Sequence, residues 1–273
     1  MVCVAHPGIV YSLLSGTERD AEMSDDHSNM PRFFVEALAV GQVRLPDDQA
    51  HHAADVLRLR EGAEVVLFDG RGGRATARLM AASRRGVTAD VTQLDPPAQR
   101  PSPRVHLGFA VPKGKRLDWL LEKATELGAA SLTPVVFHRS VAGGDELSAA
   151  KLSRWRGHCI SAAKQCGLDF LPEVLPHQSL GEHLLDRCDG LRLLGEAGPG
   201  AQPLTAALAG GVDELRLLVG PEGGLTEEEH RAAADAAWYA VRLGATTLRI
   251  ETAAVALLAV AMAMGEPPGT HAT

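Results

Sequence analysis

The sequence predicts a small β-barrel carrying one helix, followed by an α/β domain with a largely parallel sheet. Three observations carry that prediction. Short apolar or alternating segments separated by turn residues fill the first third of the chain. A proline-rich break at Pro96, Pro97, Pro101 and Pro103 then reads as a stiff linker. Beyond it strands and helices alternate to the C terminus, the pattern of a parallel sheet. A chain of 273 residues, 45% of them hydrophobic, can bury a core, and with only 4% aromatic residues that core must be mainly Ala, Leu and Val.

Residues 1–30 carry one Arg against five acids and are expected to be a disordered extension. The barrel is expected over 31–98. Its strands are Gln42–Leu45, Glu64–Phe68, Arg74–Met80 and Val87–Leu94, with Asp69-Gly70 as a turn and one helix near Asp48–Leu59 after Pro46. The larger domain is expected over 103–266. Val105–Val111 and Leu132–Phe137 read as strands flanking a helix whose stripe is Leu117, Leu120, Leu121, Ala124 and Leu127. A long helix follows from about Ser148 to Cys166. Leu191–Leu194, Leu215–Val219 and Val241–Leu243 are buried-type strands. Thr226 with Glu229 is a capping box that opens a helix, and an Ala-rich helix begins at about Thr252.

Composition excludes several classes. No segment reaches the roughly 18–20 apolar residues that span a membrane, and no signal peptide is legible. Cys3, Cys159, Cys166 and Cys188 show no metal-ligand spacing, so no metal and a reducing cytoplasm are expected. Cys159 and Cys166, seven apart, read as small buried hydrophobes. The net charge of −7 argues against nucleic acid, but the acidity lies in the first 30 residues and the last third, leaving the middle free to form a basic surface.

Several motifs fail on inspection. Gly70-Arg71-Gly72-Gly73 lacks the third glycine of a dinucleotide loop and reads as a hairpin turn. Gly108 to Lys115 has the wrong spacing for a phosphate loop, with Arg116 where Ser or Thr should stand. His51-His52 has no partner ligand. A nucleotide-dependent oxidoreductase is thereby disfavoured. A non-catalytic RNA-binding protein stays open, and would tolerate loss of the glycine loop described next.

The strong constellation lies at three strand ends. Leu217–Val219 runs into Gly220-Pro221-Glu222-Gly223-Gly224, whose glycines allow close backbone approach to a ligand. Leu194-Gly195-Glu196 ends another strand. Leu243-Gly244, followed by Leu248-Arg249-Ile250-Glu251-Thr252, ends a third. Arg249 and Glu251 lie between two apolar elements, where charges must be paired with each other or used. Lys151, Arg154, His158, Ser161 and Gln165 form a polar stripe on the long helix. This is either a solvated face or, with Arg139-Ser140, a phosphate contact.

These residues resemble the RsmE family of 16S rRNA uridine N3-methyltransferases in the SPOUT superfamily. The matches include Pro31-Arg32-Phe33-Phe34-Val35, Lys113-Gly114, Glu122–Gly128, Arg139-Ser140, Arg154-Trp155, Gln165, Val219–Gly224 and Leu243–Ala253, and the likeness covers 31–265. The resemblance implies a PUA-like RNA-binding barrel and an α/β knotted SPOUT methyltransferase domain working as a homodimer. It also implies methylation of the uridine usually numbered 1498, in 16S rRNA of the small ribosomal subunit. S-adenosyl-L-methionine is the implied donor. Leu194, Gly195, Glu196, Val219, Gly220, Pro221, Glu222, Gly223, Gly224, Leu243, Gly244, Leu248, Thr252 and Ala253 would hold it. Arg249, Glu251 and Arg139 are the expected catalytic residues. Glu222, Glu251 or a water would accept the N3 proton, and Arg249 or Arg139 would face the uracil oxygens. Arg32, Lys113, Lys115, Arg154 and Gln165 are expected to bind RNA. One departure stands out: Leu168 and Asp169 follow Gly167, where the family commonly carries an Arg.

Overall fold

The computed structural model describes residues 30–83, 86–140, 148–186, 189–198 and 200–265. Nearly all of the expected N-terminal extension, and Cys3 and Cys188, lie outside the described residues.

The first unit comprises β1 (Arg32–Phe34), β2 (Gly41–Arg44), α1 (Asp47–His51), β3 (Glu64–Phe68), β4 (Arg74–Ser83) and β5 (Gly86–Val91). The strands form one five-stranded sheet in the order β1-β3-β4-β5-β2, with β1 parallel to β3 and the other neighbours antiparallel. Alternation decides which face is buried. In β5, Val87, Ala89 and Val91 point into a core shared with Phe33, Leu67 and Leu79. The glycine run is a hairpin turn: the Asp69 N–H bonds the Gly73 carbonyl, and the Asp69 carboxylate accepts the Arg71 and Gly73 N–H groups.

The barrel helix departs from expectation. It is α-helical only to His51, and His52–Val56 forms one turn of π-helix. The Leu57 N–H bonds the His52 carbonyl and the Leu59 N–H that of Ala53, both at 2.9 Å. The widened turn keeps Ala53 in the core while Val56 and Leu57 face solvent.

The second unit contains β6 (Arg104–Ala110), α2 (Lys115–Glu126), β7 (Ser131–Val136), α3 (Ala149–Cys166), β8 (Glu173–Val174), β9 (Gln178–Ser179) and α4 (Leu180–Leu185). There follow β10 (Leu191–Gly195), β11 (Gln202–Pro203), α5 (Leu204–Ala207), β12 (Glu214–Val219), α6 (Glu227–Asp235), β13 (Tyr239–Arg242) and α7 (Ile250–Met264). The strands lie parallel in the order β11-β13-β10-β12-β6-β7-β8, and β9 also pairs with β7. Leu193, Leu107, Leu217 and Leu132 are fully buried, as continuous apolar runs require when helices cover both faces. The capping box at Thr226 and Glu229 opens α6, and a second, Ser179 with Glu182, opens α4. Such caps contribute about 1 kcal/mol each.

Three local readings are corrected. The last strand ends at Arg242, so Leu243 lies in the following loop and is exposed. The last helix begins at Ile250 with Arg249 as its N-cap, which puts Glu251, Thr252 and Ala253 on the helix itself. Cys159 is fully buried, and burial pushes its thiol up to about 11, whereas Cys166 at the end of α3 is exposed.

The two units meet through Phe34, Phe68 and Ala163. Beside this cluster Arg32 Nη2 donates to Asp169 Oδ1 at 2.5 Å and to the Leu168 carbonyl at 3.3 Å, and its guanidinium lies 5.0 Å from the Phe68 ring centre. Asp169 also faces Arg74 at 3.6 Å.

Candidate active site

Parallel β10, β12 and β13 are neighbours, so their carboxyl ends open at one edge of the sheet. A cavity of about 320 Å³ lies there, within the range for a small-molecule site. Its floor is apolar: Val219 and Val241 come from the strands, Ile250, Ala253 and Leu257 from α7. Backbone from three loops forms the rim. Glu196 and His230 face each other across it, 3.4 Å apart.

Two strand-end glycines sit where the walls close, and a side chain there would displace a leucine methyl. A Cβ on Gly195 would stand 2.6 Å from Leu257 Cδ1, and one on Gly220 would stand 2.5 Å from Leu225 Cδ1. Gly224 turns the loop at φ +69°, and its N–H bonds the Pro221 carbonyl at 2.9 Å.

The structure gathers most of the residues expected to hold a cofactor. Leu194, Gly195, Glu196, Val219, Gly220, Pro221, Glu222, Gly224, Leu243, Gly244, Leu248 and Ala253 all line this cavity. Gly223 and Thr252 do not. The Gly223 carbonyl instead accepts Arg139 Nη1 at 2.8 Å, and Thr252 is exposed on α7. Sequence reasoning missed Arg242, Thr246 and Thr247 on the same rim. Their lying between Leu243-Gly244 and Leu248, or directly before them, was the available signal.

The charged residues take a different arrangement from the expected one. Arg249 and Glu251 do not pair. Arg249 is exposed, and among the described residues no acid lies within ion-pair distance of it. Glu251 is 8% exposed, and its neighbour is Arg116, whose Nη1 lies 3.8 Å from Glu251 Oε1 and 3.2 Å from Glu222 Oε1. Glu251 Oε2 is buried without a hydrogen-bond partner among the described residues. Arg139, from the loop after β7, reaches the Gly223 carbonyl and, at 3.4 Å, that of Leu225. Two arginines from early in the domain therefore brace the glycine loop. Arg116 was passed over because its partners lie more than a hundred residues away.

The residues expected at RNA disperse. Lys113 and Lys115 are exposed at the start of α2 beside this loop. Arg154 pairs with Asp118 at 3.0 Å, and His158 lies 3.4 Å from the same carboxylate. Gln165 sits farther along α3. Arg32 lies at the junction of the two units, where its side chain is only 10% exposed and is held by Asp169.

A donor-sized cavity at the ends of parallel strands, beside a small appended β-sheet domain, narrows the class. Residues 99–262 match the family model of an RNA methyltransferase domain, and residues 45–92 that of an RNA methyltransferase PUA domain. The protein is thus an RNA methyltransferase of the SPOUT fold with a PUA domain before it. More particularly, the chain belongs to the ribosomal RNA small subunit methyltransferase E family. It is 38% identical to the Mycobacterium bovis member over 238 residues, covering 83% of this chain and 88% of the relative. It is 28% identical to the Bacillus subtilis member over 240 residues, covering 82% and 93%. Among solved structures, the Neisseria gonorrhoeae family member bound to S-adenosyl methionine superposes with a TM-score of 0.78 at 33% identity, covering 86% of this chain and 98% of that one. A Legionella pneumophila methyltransferase in complex with the same cofactor gives 0.79 at 28% identity, with the same coverage.

Proposed function

We propose that this enzyme methylates N3 of one uridine, the one usually numbered 1498, in 16S rRNA of the small ribosomal subunit. S-adenosyl-L-methionine is its cofactor and supplies an activated sulfonium methyl group. The observation that carries the reading is the convergence of three strand-end loops on one cavity whose close-packed Gly195 and Gly220 leave backbone exposed to a ligand. The residues fit the donor: apolar Val219, Val241 and Leu257 suit its adenine and thioether parts, and Glu196 can accept ribose hydroxyls.

Transfer breaks the sulfur–methyl bond, forms the N3–methyl bond and releases the N3 proton. Glu222 or a water takes that proton. Arg116 holds the Glu222 carboxylate and Arg139 fixes the loop carrying it, so both act by positioning. Arg249, exposed at the start of α7 and without an acid partner among the described residues, is placed to face the uracil oxygens as negative charge grows there. Glu251 sits in the first turn of α7, where the helix dipole favours a carboxylate, and it anchors Arg116. The reading includes a trefoil knot, domains over 31–98 and 103–266, a cytoplasmic setting and a homodimer. The uncharged, half-exposed flank of α7 suits a dimer contact.

The test supplies labelled S-adenosylmethionine and unmethylated small subunits, then digests the RNA to nucleosides. Label in 3-methyluridine is expected. Transfer to any other nucleoside refutes the N3 assignment.

A further inference from the structure

We propose that the groove between the π-turn and α3 holds an unpaired nucleotide of the RNA strand that carries the target uridine. The proposal rests on the RNA-methylation reading above and adds a second binding site, some distance along α3 from the donor cavity.

The groove has a volume of about 520 Å³ and is walled by both units. Gln49, His52 and Leu57 come from the barrel side, and Ser161, Lys164 and Gln165 from α3. The barrel wall is built from costly backbone. It contains the π-turn, and next to it Arg58 at φ +53°, a left-handed conformation that an Arg rarely adopts. The same stretch leaves Leu57 42% exposed, an apolar lip of the groove that the barrel core does not use.

Its chemistry matches one nucleotide better than a duplex backbone. A duplex needs several free cations, and here Arg32 is engaged by Asp169. Lys164 is the groove's ammonium; it donates to Gln49 Oε1 at 3.0 Å and lies 5.0 Å from the Phe33 ring centre, with Asp48 as the acid facing it, and an ammonium has two further N–H groups to offer a phosphate. Burial lowers the Lys164 pKa, and burial followed by Lys164 and His51 lowers that of His52, so near pH 7 the imidazole is mainly neutral. Among the described residues the Gln165 amide and Ser161 hydroxyl have no side-chain hydrogen-bond partner. One cation for a phosphate, neutral donors and acceptors for a base edge, and an apolar lip for a base face are the elements of single-strand recognition.

The placement also fits a strand that reaches the active site. Arg154 and His158 adjoin Asp118 in the first turn of α2, the helix whose Arg116 holds the glycine loop. From Arg154 to Gln165 the helix advances about 16 Å, so α3 runs from its contact with the α2 turn to the groove.

The experiment uses the full chain with unmethylated small subunits and counts total transferred label. Ser161→Glu places a carboxylate in the groove, and Ala206→Glu adds the same charge on α5, at the opposite edge of the large sheet. For Ser161→Glu, KM for subunits is expected to rise about tenfold, the loss of one stacked or phosphate-bound nucleotide, with donor Kd within about twofold of wild type. Ala206→Glu should leave KM within about twofold. In parallel, a benzophenone amino acid at position 161 should crosslink to rRNA near the methylated uridine. An unchanged KM in Ser161→Glu, or crosslinks confined to a ribosomal protein, overturns the proposal. Should Ser161→Glu lose donor binding, Gln165→Ala replaces it, with a KM rise of a few-fold expected and no rise counting against the groove. Because these readouts count all label, they judge the groove even if the methylated atom proves not to be uridine N3.

Discussion

Asp169→Asn is the most direct test of how the two units are joined. The carboxylate is 7% exposed and meets Arg32, whose side chain is 10% exposed, at 2.5 Å. Removing one charge from a buried pair typically costs about 3–5 kcal/mol, because the remaining charge is left without compensation. Here Arg32 keeps the Leu168 carbonyl and the Phe68 ring, and Arg74 keeps Asp95 at 2.9 Å. The lower end, about 3 kcal/mol, is therefore expected. The measurement exploits an asymmetry in the chain. Trp119, Trp155 and Trp238 all lie in the α/β unit, so tryptophan fluorescence follows that unit while far-UV circular dichroism follows both. On urea denaturation the dichroism midpoint should fall by the amount that about 3 kcal/mol requires, while the affinity for the donor stays within about twofold. The paired variant Arg32→Met/Asp169→Leu should recover most of the loss, since an apolar pair removes both buried charges. A change below about 0.5 kcal/mol in Asp169→Asn, or a paired variant as unstable as the sum of the single ones, would refute the reasoning.

Further outcomes follow from other contacts. Gly195→Ala places a methyl group 2.6 Å from Leu257 Cδ1, so overpacking of about 1–3 kcal/mol and at least tenfold weaker donor binding by calorimetry are expected. Arg116→Met should lower kcat more than it raises KM for the donor, and Arg116→Lys should restore part of it, because Glu222 and Glu251 lose their common cation. Burial, then Arg216, holds the His183 imidazole down at about 4. The unfolded chain therefore binds the extra proton between about pH 6.5 and 4, and stability should fall as pH drops through that window, by at most about 3 kcal/mol. His183→Leu should flatten the corresponding slope in denaturation midpoints.

What the sequence disclosed depended on how local the governing contact is. The turn at Pro221–Gly224 and the Thr226–Glu229 capping box were legible because each is closed by hydrogen bonds between residues three apart. The parallel strands were legible because burial on both faces demands an uninterrupted apolar run. The π-turn at His52–Val56 was not, since nothing in His-Ala-Ala-Asp-Val distinguishes a widened turn from an ordinary one until Ala53 must reach the core. The start of α7 was misplaced by two residues because Arg249 caps it without a side-chain hydrogen bond, so no Ser, Thr or Asp marked the boundary. Arg249 and Glu251 could be read as a pair or as functional charges because both lie between apolar elements. At the N terminus of a helix their two-residue spacing directs them to different sides, and Glu251 finds Arg116 instead.

That last substitution of partners bears on how the site works. The donor cavity is lined almost wholly by the last third of the chain, yet its most open loop is held from outside by Arg139 and Arg116, which follow β7 and open α2. The same α2 turn carries Asp118, which fixes Arg154 and His158 on α3, and α3 walls the groove shared with the barrel. One helical turn thus touches both the loop beside the donor and the helix that walls the proposed RNA groove. On that proposal an RNA strand that pulls on Arg154 would compete for Asp118, in the turn that positions Arg116 and hence Glu222. Recognition of the RNA and placement of the loop carboxylate would then be joined through residues 116–118, and a variant there should alter the response to RNA and to donor together.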